Sequence, residues 1–457
     1  MPSADVVVVG AGLAGLMAGH ELARRGARVI VLAKGLASTH WTAGSIDVAA
    51  PPGARTPREG LAALRTVAGH PYAVLGDDVE PAVADFLALT HAAGLDHAGD
   101  LDGEIRAAPT GIGGTRPVAI VPSAQAAAIE PWQAGETLVV CGIDGFKDFW
   151  PRAVAGSLAR PEIWSSPAAT PSRVVAVSAR LPDVGARHNL TALHLARAFD
   201  DPAWRPAAID AIVNAIDGGR VGQPARAGLP AVLGLHDHAA VHRELERRLG
   251  MPVFELPLVP PSVPGLRLYD ALRRALLASG VRIQIGESVS RVERNGNRIE
   301  LIATPAAARE YIVRAGAVVL ATGGLIGGGL VGRADGGIDE VVAGLPVEAA
   351  DREGWFSADP FDPRGHAVEA AGIRTDDALR PVDRRGRAVY ANVRICGALL
   401  AGQRWLRDRS GDGVALASAR RAAETLSRDG FAPGPPLPAT ADTTGSGVAA
   451  RSWGADH

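Results

Sequence analysis

The sequence is poor in cysteine, poor in lysine and without a marked excess of charge of either sign, and each shortage removes a class of function. Cys141 and Cys396 are the only cysteines among 457 residues. They lie far apart and outside any CxxC pattern, which argues against a disulfide framework, a zinc finger and a cysteine-ligated iron–sulfur cluster. Both sit in apolar stretches and read as small buried hydrophobes. The 47 basic and 49 acidic residues leave a net charge of −2, so neither nucleic acid nor an anionic membrane is expected as the main partner. Lys34 and Lys147 are the only lysines. Set beside the abundant alanine, that scarcity reads as a GC-rich coding sequence rather than a function. Long apolar runs are missing too. Residues 315–332 come nearest, but seven glycines interrupt them, so they read as a strand and a turn rather than a spanning helix of about 20 apolar residues. Met1-Pro2-Ser3-Ala4 carries neither a basic nor an apolar region. No signal peptide is expected, and the expectation is a cytoplasmic protein with no direct membrane span.

What is present is an α/β pattern. The length exceeds one small core and predicts lobes of roughly 100–250 residues. Residues 5–9 (DVVVV) and 29–32 (VIVL) are continuous β-branched runs of the buried parallel type. Helix formers fill 13–25 between them, and Gly26 supplies the stop. Helices are expected over 79–94, 189–216 and 266–279, and strands over 138–143, 281–285, 289–293, 299–302 and 317–321. Asn295-Gly296 stands where a hairpin turn is needed. The predicted organisation is a discontinuous Rossmann-type flavin-binding domain, 1–75 and 258–430. An α+β substrate or cap domain is inserted at 76–257. The tail, 431–457, is rich in Pro, Gly, Thr and Ser and is expected to be disordered.

The strongest local signal is Gly10-x-Gly12-x-x-Gly15, which follows the first strand and opens the first helix. Gly10 permits the tight turn, Gly12 lets backbone approach a pyrophosphate, and Gly15 allows close helix–sheet packing. The helix N-terminus adds about half a positive charge for the anion. One element is absent. Where an acid usually meets the adenosine ribose, the second strand ends Leu32-Ala33-Lys34-Gly35. Ala33 accepts no hydrogen bond, and Lys34 meets either a phosphate or solvent.

Three further stretches suit a loop laid against the same ligand. The first holds Ser38, Thr39, His40, Gly44 and Ser45, with His40 either at the flavin or structural. The second is the small-residue turn Thr322-Gly323-Gly324, which follows a buried strand. The third holds Gly397 and a glycine-started helix at Gly411, Gly413 and Val414. The N-terminus of that helix is placed to face the flavin pyrimidine, where negative charge collects on reduction. Asp412 would oppose that charge and is expected to cap the helix instead.

Gly10 to Gly26, the turn Ala321-Thr322-Gly323-Gly324 and the C-terminal glycine helix together resemble the shared signature of the glutathione-reductase-like flavoproteins. More narrowly, the chain is similar to the B-subunit family of anaerobic glycerol-3-phosphate dehydrogenase. The segments that carry the closer likeness are 38–48, 70–76 (HPYAVLG), 109–122, 142–149 (GIDGFKDF), 229–234 (LPAVLG) and 255–267 (ELPLVPPSVPGLR). With the shared signature they extend over about residues 5–425. The resemblance implies a flavin-bearing subunit that works beside a second flavoprotein subunit and a membrane-associated iron–sulfur subunit, peripheral to the inner face of the membrane. Such a complex oxidises sn-glycerol 3-phosphate to dihydroxyacetone phosphate and passes electrons to quinone. FAD is the expected cofactor on the strength of the pyrophosphate motif, with FMN the alternative that would suit Ala33.

A catalytic subunit would need arginine to fork the substrate phosphate and a base for the hydroxyl proton. Arg116 and Arg267, each in a Pro/Gly-punctuated loop, are the phosphate candidates, and Lys147 is the candidate base or substrate ligand. The alternatives are a relay and assembly subunit whose flavin only carries electrons, and a stand-alone fumarate-reductase-like oxidoreductase. No metal site is expected: His236 and His238 are too loosely spaced and suit a loop or helix-cap role.

Overall fold

In a computed structural model the described residues are 2–430, except 165–169, 183–188, 220–224, 287, 306–309 and 361. The expected tail, 431–457, lies outside them. The apolar runs of the sequence collect into two main hydrophobic cores.

The first core surrounds a seven-stranded sheet. The opening strand β1 (Ser3–Val9) is buried at every position. It pairs in parallel with β2 (Val29–Ala33) on one side and with the long strand Tyr311–Leu320 on the other. The helix α1 (Leu13–Arg24) crosses between β1 and β2. Arg282–Ile285 extends the parallel array beyond β2, and Val393–Ile395 pairs with the second half of the long strand. A strand clothed on both faces needs apolar residues throughout, which is why β1 and β2 do not alternate. The hairpin Arg291–Asn295 and Arg298–Thr304 adds an antiparallel edge. Its loop is Gly296-Asn297, one residue later than the sequence suggested, because Asn295 is still paired with Arg298 and Gly296 takes φ +57°.

Two long helices complete this core. Tyr72–Ala92 buries Leu75, Val79, Val83 and Phe86. The closing helix Gly411–Asp429 packs against both it and α1. Arg420 and Arg421 of the closing helix reach Asp85 and Asp78 at 2.7 and 2.8 Å. Residues 76–92, expected in the inserted domain, are therefore part of the first core. The helix also begins earlier than expected, at Tyr72, and continues through Pro81.

The second core lies within residues 107–263. Its sheet has four strands in the order Val253–Leu256, Ala225–Pro230, Thr137–Ile143 and Arg173–Ala179, and every pair is parallel. With helices on its faces this is α/β rather than the expected α+β. The expected helix over 189–216 is two helices, Ala192–Asp200 and Arg205–Gly218, separated at Asp201-Pro202, where proline disfavours helical backbone before it. Between the cores, Arg106–Pro109 and Thr115–Val118 form a short hairpin that carries Arg116.

Candidate functional site

The crossover from β1 to α1 opens a cavity of about 1260 Å³. Its walls come from the β1 end, the β2 end, residues 37–47, the turn after the long strand and the start of the closing helix. That volume exceeds the usual range for a small-molecule site and suits a ligand of dinucleotide size.

The three fingerprint glycines divide their work. Gly10 adopts φ +113°, and a Cβ there would lie 2.1 Å from Ala321 O. Gly15 faces protein, since its Cβ would meet Gly10 O at 2.0 Å. Gly12 is the one turned to the cavity: a Cβ would find only Ala37 Cβ at 3.4 Å and Thr39 Oγ1 at 3.9 Å. Gly12 is also the N-cap of α1 and brings no capping side chain. Thr39 Oγ1 accepts from Leu13 N at 3.0 Å, fixing the 37–47 segment over the helix start.

Opposite this end, Thr322, Gly323 and Gly324 line the cavity, with Gly323 at φ +81°. Gly397 (φ +66°) and Gly411 do so from the C-terminal side. Three buried polar atoms of cavity residues have no partner within the protein: Ser45 Oγ, Thr322 Oγ1 and Gln403 Oε1. Buried polar atoms are almost always hydrogen-bonded. Three orphans drawn from distant segments and meeting at one cavity are the mark of a polar ligand. A flavin dinucleotide fits this donor and acceptor set; Gly12 and the α1 N-terminus would meet its pyrophosphate.

Charged side chains also line the cavity, with Arg409 just behind them. Arg116 Nη2 donates to both carboxylate oxygens of Asp47, at 2.7 and 2.8 Å. Arg409 approaches the same carboxylate at 3.9 Å and holds a left-handed backbone, φ +42°. Burial holds its guanidinium below the ordinary arginine range. Asp412, in the first turn of the closing helix, does not cap it. Its Oδ2 accepts from Asp47 N at 2.9 Å, while Asp47 O accepts from Asp412 N and Gly413 N at 3.1 Å. Burial first, and then the Asp47 charge, push the Asp412 carboxyl up to about 7. The mouth is apolar, with Trp41, Ile326, Phe356 and Leu406 lining the cavity while remaining exposed.

Of the residues expected from sequence, Gly10, Gly12, Lys34, Ser38, Thr39, Ser45, Thr322, Gly323, Gly324, Gly397, Gly411 and Arg116 line the cavity. Seven do not. Gly15 packs against the β1 turn instead. Gly413 is another packing glycine, with a Cβ position 2.1 Å from Tyr72 OH, and Val414 is fully buried in the first core. Gly44 packs against Pro122 and Pro264. His40 lies beside Gly265, off the cavity wall. Lys147 is exposed on the second-core side. Arg267 is buried in an ion pair with Glu255 at 2.5 Å, its remaining N–H groups on Gly234 O. It ties the helix Val263–Ala278 to the strand Val253–Leu256 and is no free phosphate ligand.

Asp47, Gln403, Arg409 and Asp412 are the site residues that sequence reasoning did not select. Asp47 stands inside the 38–48 segment, so its position was signalled. Arg409 and Gln403 carry no spacing signal. At the β2 end, Ala33, Lys34 and Gly35 are joined by Ser288 and Val289. The acids lining the cavity are Asp47, Glu369 and Asp412, none of them on that strand. Among the described residues no group of three His, Cys, Asp or Glu is placed to hold a metal ion, and no helix is long and apolar enough to cross a membrane.

A nucleotide-sized cavity built on a Rossmann crossover, in a chain whose residues 5–414 match the FAD binding domain family, marks a flavin-dependent oxidoreductase. Within that class, the chain belongs to the B-subunit family of anaerobic glycerol-3-phosphate dehydrogenase. It is 33% identical over 437 residues to the probable B-subunit of that enzyme from Halobacterium salinarum, covering 91% of this chain and 95% of that one. The B-subunit from Yersinia pseudotuberculosis is 32% identical over 438 residues, with 92% and 97% covered. The cofactor is FAD. Among solved structures, 3-ketosteroid Δ1-dehydrogenase from Sterolibacterium denitrificans is 11% identical, with a TM-score of 0.45 and 94% and 100% covered. A flavocytochrome c3 fumarate reductase is 10% identical, with a TM-score of 0.41 and 93% and 78% covered.

Proposed function

We propose that this chain itself oxidises sn-glycerol 3-phosphate, with Arg116 holding the phosphate in the cavity. FAD supplies the two-electron acceptor when bound. The chain's own residues position the alcohol, exclude water and manage charge. The observation that carries this reading is the Arg116 guanidinium, brought to the cavity wall by the hairpin between the two cores. Planar bidentate donors suit a phosphate dianion. Arg409 supplies a second cation on the same carboxylate. The second core, in this reading, supplies the substrate-facing side of the site. Electrons then leave through a second flavoprotein subunit and an iron–sulfur subunit at the membrane, and on to quinone, since no cluster-binding cysteine set exists in the sequence. The chain works at the inner face of the membrane through those partners.

One observation favours a second reading. Asp47 already occupies the Arg116 fork, and a phosphate has to displace it. A subunit that only relays electrons from a catalytic partner would keep that pair intact. Anaerobic addition of sn-glycerol 3-phosphate to the purified FAD-loaded chain separates the two. Bleaching of the flavin band by substrate alone supports the catalytic reading, and bleaching that requires the partner flavoprotein supports the relay.

A further inference from the structure

We infer that Asp412 is a redox-linked proton site of the FAD cavity, its carboxyl taking up one proton from solvent when two electrons enter the cofactor. Asp412 lines the cavity from the first turn of the closing helix. Its Oδ2 is committed to Asp47 N, which leaves Oδ1 for a proton. The Arg116 charge draws the Asp412 carboxyl down, but less than burial and the Asp47 charge raise it, and both Arg116 and Arg409 are paired with Asp47. A second observation places a ligand here: Ser45 and Gln403, 3% and 2% exposed, each present an unpartnered oxygen at the same cavity.

The remaining charged and titratable groups around Asp412 are accounted for. Tyr72 OH donates to Val48 O, and burial raises its proton affinity further, so it stays protonated. His70, against Ser410, is lowered to about 4 by burial and stays neutral. Asp408 is paired with Arg407, and Glu369 accepts from His366 N and Leu406 N. His366, which also lines the cavity, is engaged by Ser357 N and Pro360 O.

The direction follows from electrostatics. Burial and the Asp47 charge already raise the Asp412 carboxyl to about 7. Added negative charge in a low-dielectric cavity raises a carboxyl's affinity for a proton. Above about pH 7, the carboxylate of the oxidised state therefore becomes protonated on reduction. Two electrons and one extra proton enter together, the electrons from the reductant and the proton from water. Asp412 is left neutral, and the helix N-terminus no longer has a carboxylate opposing the reduced cofactor.

The test is the midpoint potential of the FAD-loaded protein against pH, with dithionite as reductant, so that it does not depend on substrate. Above pH 7 the wild type is expected to fall more steeply than Asp412→Asn by about 30 mV per pH unit, a tenfold change in a two-electron couple. The difference should persist when His366→Gln removes the histidine that lines the same cavity. Parallel lines for wild type and Asp412→Asn overturn the inference. If Asp412→Asn fails to hold FAD, proton uptake by the wild type decides, read with a pH indicator at about pH 8. Uptake greater than that of free FAD supports the proton site, and equal uptake refutes it. A chain that substrate cannot bleach but that shows the steeper slope retains Asp412 as the proton site while losing the catalytic reading.

Discussion

Gly12→Val separates binding of the cofactor from folding of the chain more cleanly than any other single change. Gly12 has φ −79° and ψ −177°, extended backbone that valine adopts freely. The added Cβ would sit in ordinary contact, 3.4 Å from Ala37 Cβ. The stability cost to the apoprotein is therefore small, about 0.5 kcal/mol. The two γ-carbons, however, extend into the cavity at the start of α1, where the pyrophosphate must approach backbone N–H groups. Losing that approach removes charge-assisted hydrogen bonds of the stronger kind. About 3 kcal/mol or more of binding is at stake, equivalent to over a hundredfold in Kd. Gly10→Ala is the contrast. It forces a Cβ to 2.1 Å from Ala321 O at φ +113°, and should cost at least ~3 kcal/mol of folding. Thermal unfolding of both apoproteins, followed by FAD titration, reads the two effects. Gly12→Val should unfold with the wild-type apoprotein and stay colourless, while Gly10→Ala should unfold far earlier. A Gly12→Val protein that binds FAD stoichiometrically with wild-type affinity refutes the placement of the cofactor.

Arg116→Ala should retain FAD yet lose about a hundredfold in kcat/KM for sn-glycerol 3-phosphate, measured by stopped-flow bleaching; an unchanged value removes Arg116 from the substrate site. Arg267→Met should instead destabilise the fold by roughly 3–5 kcal/mol, because Glu255 is left buried without its partner. Denaturant unfolding measures that, and the surviving folded fraction should still carry FAD. In the apoprotein, Asp412 holds its proton more tightly folded than unfolded, so its contribution to stability is complete below the unfolded value near 3.8. That contribution is lost as pH rises to about 7. The stability of wild type relative to Asp412→Asn should accordingly fall across that window in urea titrations, and a constant difference contradicts the burial of this carboxyl.

The β1–α1–β2 crossover was legible because several levels of the sequence agree there: continuous β-branched runs, a glycine fingerprint at the strand end and a helix that stops at Gly26. The fingerprint also divides the glycines as they stand in the fold: Gly12 faces the cavity, and Gly15 presses against Gly10 O. Arg267 misled. A polar residue between Pro264-Gly265 and Leu268 reads the same whether it meets a substrate or a buried acid, and its partner Glu255 is recognisable only after the two cores are assembled. The helix Tyr72–Ala92 was placed in the inserted domain, but it buries Val79, Val83 and Phe86 in the first core and packs against the closing helix, a partner more than 300 residues away that no local signal announces. Arg409 was invisible, since nothing in its neighbours announces a left-handed backbone.

Everything turns on one cofactor held between the start of α1, the Thr322 turn and the closing helix. Acid precipitation of the purified, FAD-saturated chain, with the mass and absorbance of the supernatant, tests that placement most directly. The prediction is about one molecule of intact FAD released per chain. A chain that stays colourless in excess FAD, or that releases only FMN, contradicts it.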